Sequence, residues 1–433
     1  MNGLREDVEI RYEGRGRLKR RTCDGPPPLP RNDLLHLPQE IMLNILSRLP
    51  VESVLKCRLV CKTWSSLPLL YYNTYFADMH LRRQQQQLQL RRPFQHDYVF
   101  HHQHNNSNAD TNKLSFVFEG CNKSLYYVEY DENDEQSYRT HRKINLPLPN
   151  DELSLVGSCN GLICLSVELE RFYDPVYICN PITREFLHLP RVIMNNKHEI
   201  VKIAHGFGYH PSTNEYKVVR VYYCRDQLPY IGQVQVYTLG SGIGWRNKGQ
   251  ITHILRPTVG SHAILVNGAL HWVSLEGYIV AFDLADEEFR CPPMPPCSSP
   301  VSYENSNLWV LDGWLCFVHQ REYSSADIWL LKKKKSASSS NMKEPVHQSW
   351  SWSREFTIAI TEIHFMHQPF AVTKSGEILL WYDWKSIVCC DPKTTSKPKK
   401  LGDLYEDIIG IQAISYLSSF VSLKALRENA EII

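Results

Sequence analysis

Several stretches of the chain carry residue types that could do chemistry. Gly240-Ser241-Gly242-Ile243-Gly244 has the glycine density of a phosphate-cradling loop. Such a loop also needs a terminal Gly-Lys-Ser/Thr and a helix behind it whose N–H groups meet the phosphate. Trp245-Arg246-Asn247 follows instead and reads as strand, so the segment is expected to be a hairpin tip. His101-His102-Gln103-His104 could ligate metal, but it adjoins the polar run from Asn105 to Asn112 and reads as loop. Cys57 and Cys61 stand four apart, and no CxxC pair of the kind zinc sites use occurs. Asp283 and Asp286 have no histidine at ligand spacing and read as acidic turn residues. Lys332 to Lys335, ahead of a serine run, reads as a solvated loop. Asn105-Asn106-Ser107 and Asn122-Lys123-Ser124 match a glycosylation sequon, which has meaning only in a secreted chain. HExxH, P-loop and GxSxG patterns do not occur. The expectation is a protein without catalytic residues, metal or cofactor.

Bulk composition narrows the class. The 433 residues suffice for two or three domains. A formal net charge of +2 gives no general case for a nucleic-acid or membrane partner. The first thirty residues are polar and charged, unlike a signal peptide, and no run approaches the ~20 apolar residues of a membrane helix. Thirteen cysteines, an odd number, read as reduced and mostly buried in a nuclear and/or cytoplasmic protein. The 23 tyrosines and 10 tryptophans suit a β-domain built on aromatic cross-strand pairs.

Residues 1–32 read as a disordered tail, basic from Arg15 to Arg21 and proline-rich from Pro26 to Pro30. The basic run fits either a solvated tail or a nuclear-import signal. Residues 33–72 read as a compact helical unit. Pro38 suits the first turn of a helix, because its missing N–H has no partner there. Ile41, Met42, Ile45, Leu46 and Leu49 recur at helical spacing, while Leu43 lies off that stripe. Pro50 opens a second helix carrying Val51, Val54, Leu55 and Leu59; a third short one would carry Val60, Cys61, Trp64 and Leu67. Residues 73–96, with Gln84 to Gln87, read as a linker, with continuation of a helix as the alternative.

From residue 97 to 425 the pattern is β, and 426–433 reads as a tail. Short apolar runs are bounded by Gly, Asn, Asp and Pro. Asn160-Gly161, Asn267-Gly268 and Asp312-Gly313 each sit between two such runs and supply the positive φ of a two-residue hairpin turn. Thr373 to Gly376 is a looser fourth. Each hairpin leads into a strand and an apolar-Pro close, giving four strands per roughly 40 to 60 residues. That is the pattern of propeller blades, and about six units are expected. A two-sheet sandwich is the alternative.

Three motifs make the helical unit nameable: Leu37-Pro38-Gln39-Glu40-Ile41, Ile45 to Val51, and Arg58-Leu59-Val60-Cys61-Lys62-Thr63-Trp64. Their order and spacing closely resemble an F-box. Gly157 to Leu165, Cys179-Asn180-Pro181, Gly206 to Tyr209, Tyr216 to Val219 and Val266 to Trp272 resemble the F-box-associated domain of plants, with Tyr416 to Leu423 its closing segment. The resemblance departs at the Gln-rich linker and at Lys332 to Glu344. It implies a small α-helical F-box followed by an all-β domain, an irregular kelch-like β-propeller. It implies a non-catalytic substrate receptor of a Skp–cullin–F-box ubiquitin ligase, binding a Skp-type adaptor and through it a cullin. Adaptor contacts would come from Leu37, Pro38, Ile41, Ile45, Leu46, Leu49, Pro50, Val51 and Leu55. Short helices cannot bury their apolar residues on themselves alone, which points either to a partner or to packing against the chain's own β-domain.

The target protein, unnamed by the sequence, is expected on loops at one end of the β-domain, since strand interiors are committed to packing. The irregular connections are Met194 to Ile200, Cys224 to Gly232, Arg256 to His262, Cys297 to Asn307 and Gln320 to Asp327. Among them Tyr222, Tyr223, Arg225 and Tyr230 combine aromatic anchors with a cation, a mixture favoured at interface hot spots. A small-molecule or glycan binding module is the alternative function, with Trp245, Trp314, Trp381, Tyr382 and Trp384 as its aromatics.

Overall fold

A computed structural model of the chain describes residues 38–57, 59–60, 74–90, 113–120 and, with interruptions of which 334–349 is the longest, 124–432. The expected N-terminal tail, Leu37, the third short helix beyond Val60, the histidine run, the lysine–serine loop beyond Lys333 and Trp384 fall outside the described residues.

Helix α1 spans Gln39–Leu46. It opens as the sequence predicts, with the Pro38 carbonyl accepting the N–H groups of Ile41 and Met42 at 3.0 and 3.1 Å. Helix α2 spans Val51–Cys57, with Val54 N–H closing on the Pro50 carbonyl. The segment expected to link the domains carries a helix, α3, over Thr74–Leu90. Residues 43–433 pack as one unit.

The β-region is a six-bladed propeller. Among the described residues twenty-five strands, β1 (Lys113–Gly120) to β25 (Glu431–Ile432), form six antiparallel sheets. Five blades run consecutively: β4–β7 (residues 153–188), β8–β11 (200–251), β12–β15 (264–290), β16–β19 (306–359) and β20–β23 (368–403). The sixth is composite. β24 (Gly410–Ser415) pairs with β1, so the C-terminal region supplies the inner strand of the blade that β1–β3 begin. The inner strands then meet in a closed circuit: β4, β8, β12, β16, β20, β24 and back to β4. Closure leaves no exposed inner edge. An apolar cluster fills each of the six interfaces between neighbouring blades. Strands sandwiched between two blades are buried on both faces, as β9 (Glu215–Cys224) and β22 (Ser386–Cys390) show.

The expected turns are present. Asn160, Asn267 and Asp312 have φ of 51°, 52° and 51°, each followed by a glycine with positive φ. At the looser fourth turn only Gly376 is in that region. Gly161 has a second constraint: a Cβ there would lie 2.2 Å from Ser419 Oγ and 2.9 Å from its backbone nitrogen. The chain passes this close because Tyr416 to Leu423 is strapped across the second blade. Asn180 Nδ2 donates to the carbonyls of Ser419 (3.1 Å) and Val421 (2.6 Å), and Glu185 accepts from Ser422 Oγ (2.8 Å) and the Leu423 N–H. Gly161→Ala is therefore expected to cost about 1–3 kcal/mol, from an unfavourable φ and a backbone clash, read as a lowered denaturation midpoint. The same midpoint in the variant would mean that the strap is not fixed there.

Residues 426–433, read from the sequence as a tail, are docked as well. Glu428 accepts the Gly240 N–H at 2.6 Å, and β25 adds an outer strand to β7. The glycine-rich segment 240–244 is a hairpin tip between β10 and β11, as expected.

Candidate functional site

Two surfaces follow from this architecture. The first belongs to the helices. Of the described residues expected to meet an adaptor, Ile41 is 48% exposed and Ile45 45% exposed. Pro38 is exposed, and Leu49, Pro50 and Leu55 are half-buried. Leu46 and Val51 are at 1%, and Leu43, off the expected stripe, is at 5%. The apolar residues of α1 thus divide between an inward pair, Leu43 and Leu46, and outward isoleucines. Leu46 and Val51 serve packing within the chain rather than an outward face. Beyond the set named from sequence, Leu59, Val60 and Tyr75 are also strongly exposed apolar side chains.

Helix α3 ties α1 and α2 to the propeller. On one side Arg83 donates to the Asn44 carbonyl (2.7 Å) and the Ser47 hydroxyl, and His80 Nε2 lies 2.9 Å from the Leu49 carbonyl. Burial holds the His80 imidazole below its ordinary pKa, so it is neutral and donates through Nε2. On the other side the His80 ring meets Phe420 edge-on at 5.0 Å, and Phe76 lies 5.6 Å from the same ring. Leu81 joins the core between the second and third blades, and Gln85 Nε2 donates to Asn160 Oδ1 at 2.9 Å. The strap and the β4–β5 turn are therefore the floor on which α3 rests.

That contact orients the second surface. In an antiparallel meander the β4–β5 type of turn marks one end of every blade; the connections between blades leave from the other. α3 docks at the hairpin end. All five irregular connections named from sequence join strands at the opposite, crossover end. Residues 194–199, 226–227, 257–262, 298–305 and 322–324 of them lie outside the described residues.

The four side chains proposed there from sequence do not act alike. Arg225 is exposed, and Tyr222 and Tyr230 are half-buried. Tyr223 is a correction: it is 0% exposed. Its hydroxyl donates to the His253 carbonyl (2.9 Å) and accepts the Leu255 N–H (2.8 Å), fixing the connection from β11 to β12. Burial raises its phenol well above the ordinary value. Leu228, 76% exposed, lies in a connection named from sequence but outside the four side chains chosen there, and Tyr278, 53% exposed, lies outside every named connection. Both sit in turns between the second and third strands of a blade, which no sequence period marks.

Of the aromatics weighed for a small ligand, the three with described side chains, Trp245, Trp314 and Trp381, serve packing. Trp381 is 2% exposed. Trp245 lies under the Arg220 guanidinium at 3.9 Å, and Trp314 packs against the core between the last two consecutive blades. Asp283 is a turn residue as expected, accepting the N–H groups of Ala285 and Asp286. Among the described residues no group of three His, Cys, Asp or Glu side chains could hold a metal ion.

Residues 34–77 match the F-box-like family model, and residues 113–399 match the model of the F-box associated beta propeller domain. The chain belongs to the F-box-associated β-propeller family. Within it the chain is similar to F-box protein At3g07870 of Arabidopsis thaliana, 27% identical over 82% of this chain and 85% of that one. It is also similar to F-box/kelch-repeat protein At3g23880 of the same plant, 25% identical over 69% of this chain and 76% of its relative. The F-box match ends inside α3, so this F-box-associated propeller joins its two parts through a helix that both use.

Proposed function

We propose that this protein is the substrate-recognition subunit of a Skp–cullin–F-box ubiquitin ligase. The F-box docks the Skp-type adaptor, and the crossover end of the propeller holds the target protein while other subunits carry out ubiquitin transfer. The observation that carries this reading is the opposition of ends: α3 occupies the hairpin end, and the irregular connections leave from the other. Family membership supports the adaptor half, and the exposed Arg225, Leu228 and Tyr278 support the target half.

The test is capture with the proteasome blocked, comparing the full chain with its Arg225→Glu/Leu228→Asp form. Both positions are exposed, so folding should persist. The variant is expected to retain the adaptor and to lose roughly 30-fold or more in target affinity, as hot-spot losses of about 2 kcal/mol imply. A target that stays bound to this variant but is lost when the F-box is altered would overturn the division of labour.

A further inference from the structure

The crossover end of the fourth blade in the ring, β12–β15, brings together a thiol, an imidazole and a carboxylate that the core does not use. His253 lies in the connection from β11 to β12, Glu276 in the turn between β13 and β14, and Cys291 directly after β15. The backbone holds the three connections in register. Leu275 N–H donates to the Ile254 carbonyl (2.8 Å), Arg256 N–H donates to the Val273 carbonyl (3.1 Å), and the Tyr223 hydroxyl clamps residues 253 and 255. The Cys291 thiol then lies 3.7 Å from His253 Nε2. The other ring nitrogen, Nδ1, lies 3.8 Å from Glu276 Oε2. Tyr278 meets the imidazole edge-on at 5.8 Å.

Thiol, imidazole and carboxylate in this order are the parts of an activated nucleophile: a base beside the sulfur and a third group that orients the base. Burial alone would raise the Glu276 carboxyl. Hydrogen bonds from Ser274, its own N–H and Ile254, with His253 nearby, hold it below the usual carboxylate range. An ionised carboxylate at Nδ1 favours a proton there, leaving Nε2 to accept from the thiol. Arg290, beside Cys291 in the chain, is drawn off to Asp283 and Asp286. Among the described cysteines Cys291 alone is exposed. The others contrast with it: burial pushes the thiols of Cys159 and Cys179 up to about 12 and that of Cys297 up to about 11.

We propose that Cys291 is a reactive thiol, with His253 as its base and Glu276 as the positioning residue, that a hydroperoxide oxidises to sulfenic acid. His253 takes the thiol proton. The thiolate attacks one peroxide oxygen, forming the S–O bond as the O–O bond breaks. The leaving hydroxide recovers the proton from His253 as water. Sulfur is oxidised and the peroxide is reduced. The chemistry needs neither adaptor nor target, so it stands or falls apart from the receptor reading.

The experiment treats the full chain with limiting hydrogen peroxide, traps sulfenic acid with dimedone and locates the adduct by peptide mass. Cys291 is expected to be labelled at doses that leave Cys57, Cys159 and Cys297 unlabelled. His253→Gln, which removes the base beside the sulfur, should slow labelling at pH 7 by about 100-fold, the low end of what a positioned base contributes. At pH 10, where an exposed thiol ionises unaided, the variant should match the native rate. Glu276→Gln, at an exposed carboxylate, should slow the reaction at pH 7 and not at pH 10. Native rates at pH 7 in both variants, or equal labelling of Cys57, Cys159 and Cys297, would overturn the proposal.

Discussion

Replacing Ile41 and Ile45 together with alanine is expected to weaken binding to a Skp-type adaptor by roughly 30- to 1000-fold. The estimate follows from two partly exposed apolar anchors worth on the order of 2–4 kcal/mol when a partner covers them. Their exposure makes the experiment clean. Core substitutions cost stability, but side chains that are 48% and 45% exposed bury little in the free chain, so the unfolding midpoint should hardly move. Leu46→Ala is the contrasting case. At 1% exposure it should destabilise by about 2–5 kcal/mol, and any loss of adaptor would come through the fold. Titrating purified adaptor against the three proteins, beside their denaturation curves, separates the two routes. Unchanged adaptor affinity in the Ile41/Ile45 variant would refute the docking face.

The F-box was legible because its motifs are contiguous and its proline and apolar spacings are local. The Asn-Gly and Asp-Gly hairpins were legible for the same reason, since the positive φ that each turn needs restricts residue choice at two adjacent positions. The way the ring closes was not. Residues before the β4–β7 blade hold only three of a blade's four strands; the fourth, β24, comes from residues 410–415, far away in the chain. The blade at residues 200–251 carries no Asn-Gly or Asp-Gly signal at its first turn. Its first turn, from His210 to Glu215, is longer than a two-residue hairpin and places only Asn214 at positive φ. Helix α3 was hidden by composition. It buries Phe76, Ala77, His80 and Leu81 in its first half, whereas its glutamine-rich second half resembles a linker. At the candidate site, Tyr223 was misread because a propeller strand is covered on both faces. Alternation therefore does not tell an interface tyrosine from a core one; the hydroxyl's two backbone partners decide it.

The largest stability loss among single changes to polar groups is expected at the pair that joins the second and third blades. Arg220 NH1 lies 2.9 Å from Asp174 Oδ1, with side-chain exposures of 3% and 0%. The guanidinium also stacks on Trp245 and donates to Gln235, and Asp174 accepts the Val192 N–H at 2.7 Å. Burial raises the Asp174 carboxyl above its ordinary value and lowers the Arg220 guanidinium, in each case against the pull of the partner. Desolvation thus outweighs attraction on both sides, so the pair is costly to break rather than strongly stabilising. Arg220→Met leaves a lone buried carboxylate and should cost about 3–5 kcal/mol at pH 7. Adding Asp174→Asn removes the charge while Oδ1 still accepts from Val192, and should return at least about 1 kcal/mol. The pH dependence has a definite sign. In Arg220→Met the folded-state pKa of Asp174 stands above its unfolded value. Folding then takes up a proton, and the deficit should shrink as pH falls from 7 towards the unfolded carboxylate value of about 3.9. The double variant, with nothing to titrate at that position, should show no such recovery. Denaturant curves for the three proteins at pH 7 and pH 5 decide the matter. A single variant within about 1 kcal/mol of the native chain, or a double variant no more stable than the single, would mean that water reaches the pair and relieves the buried charge.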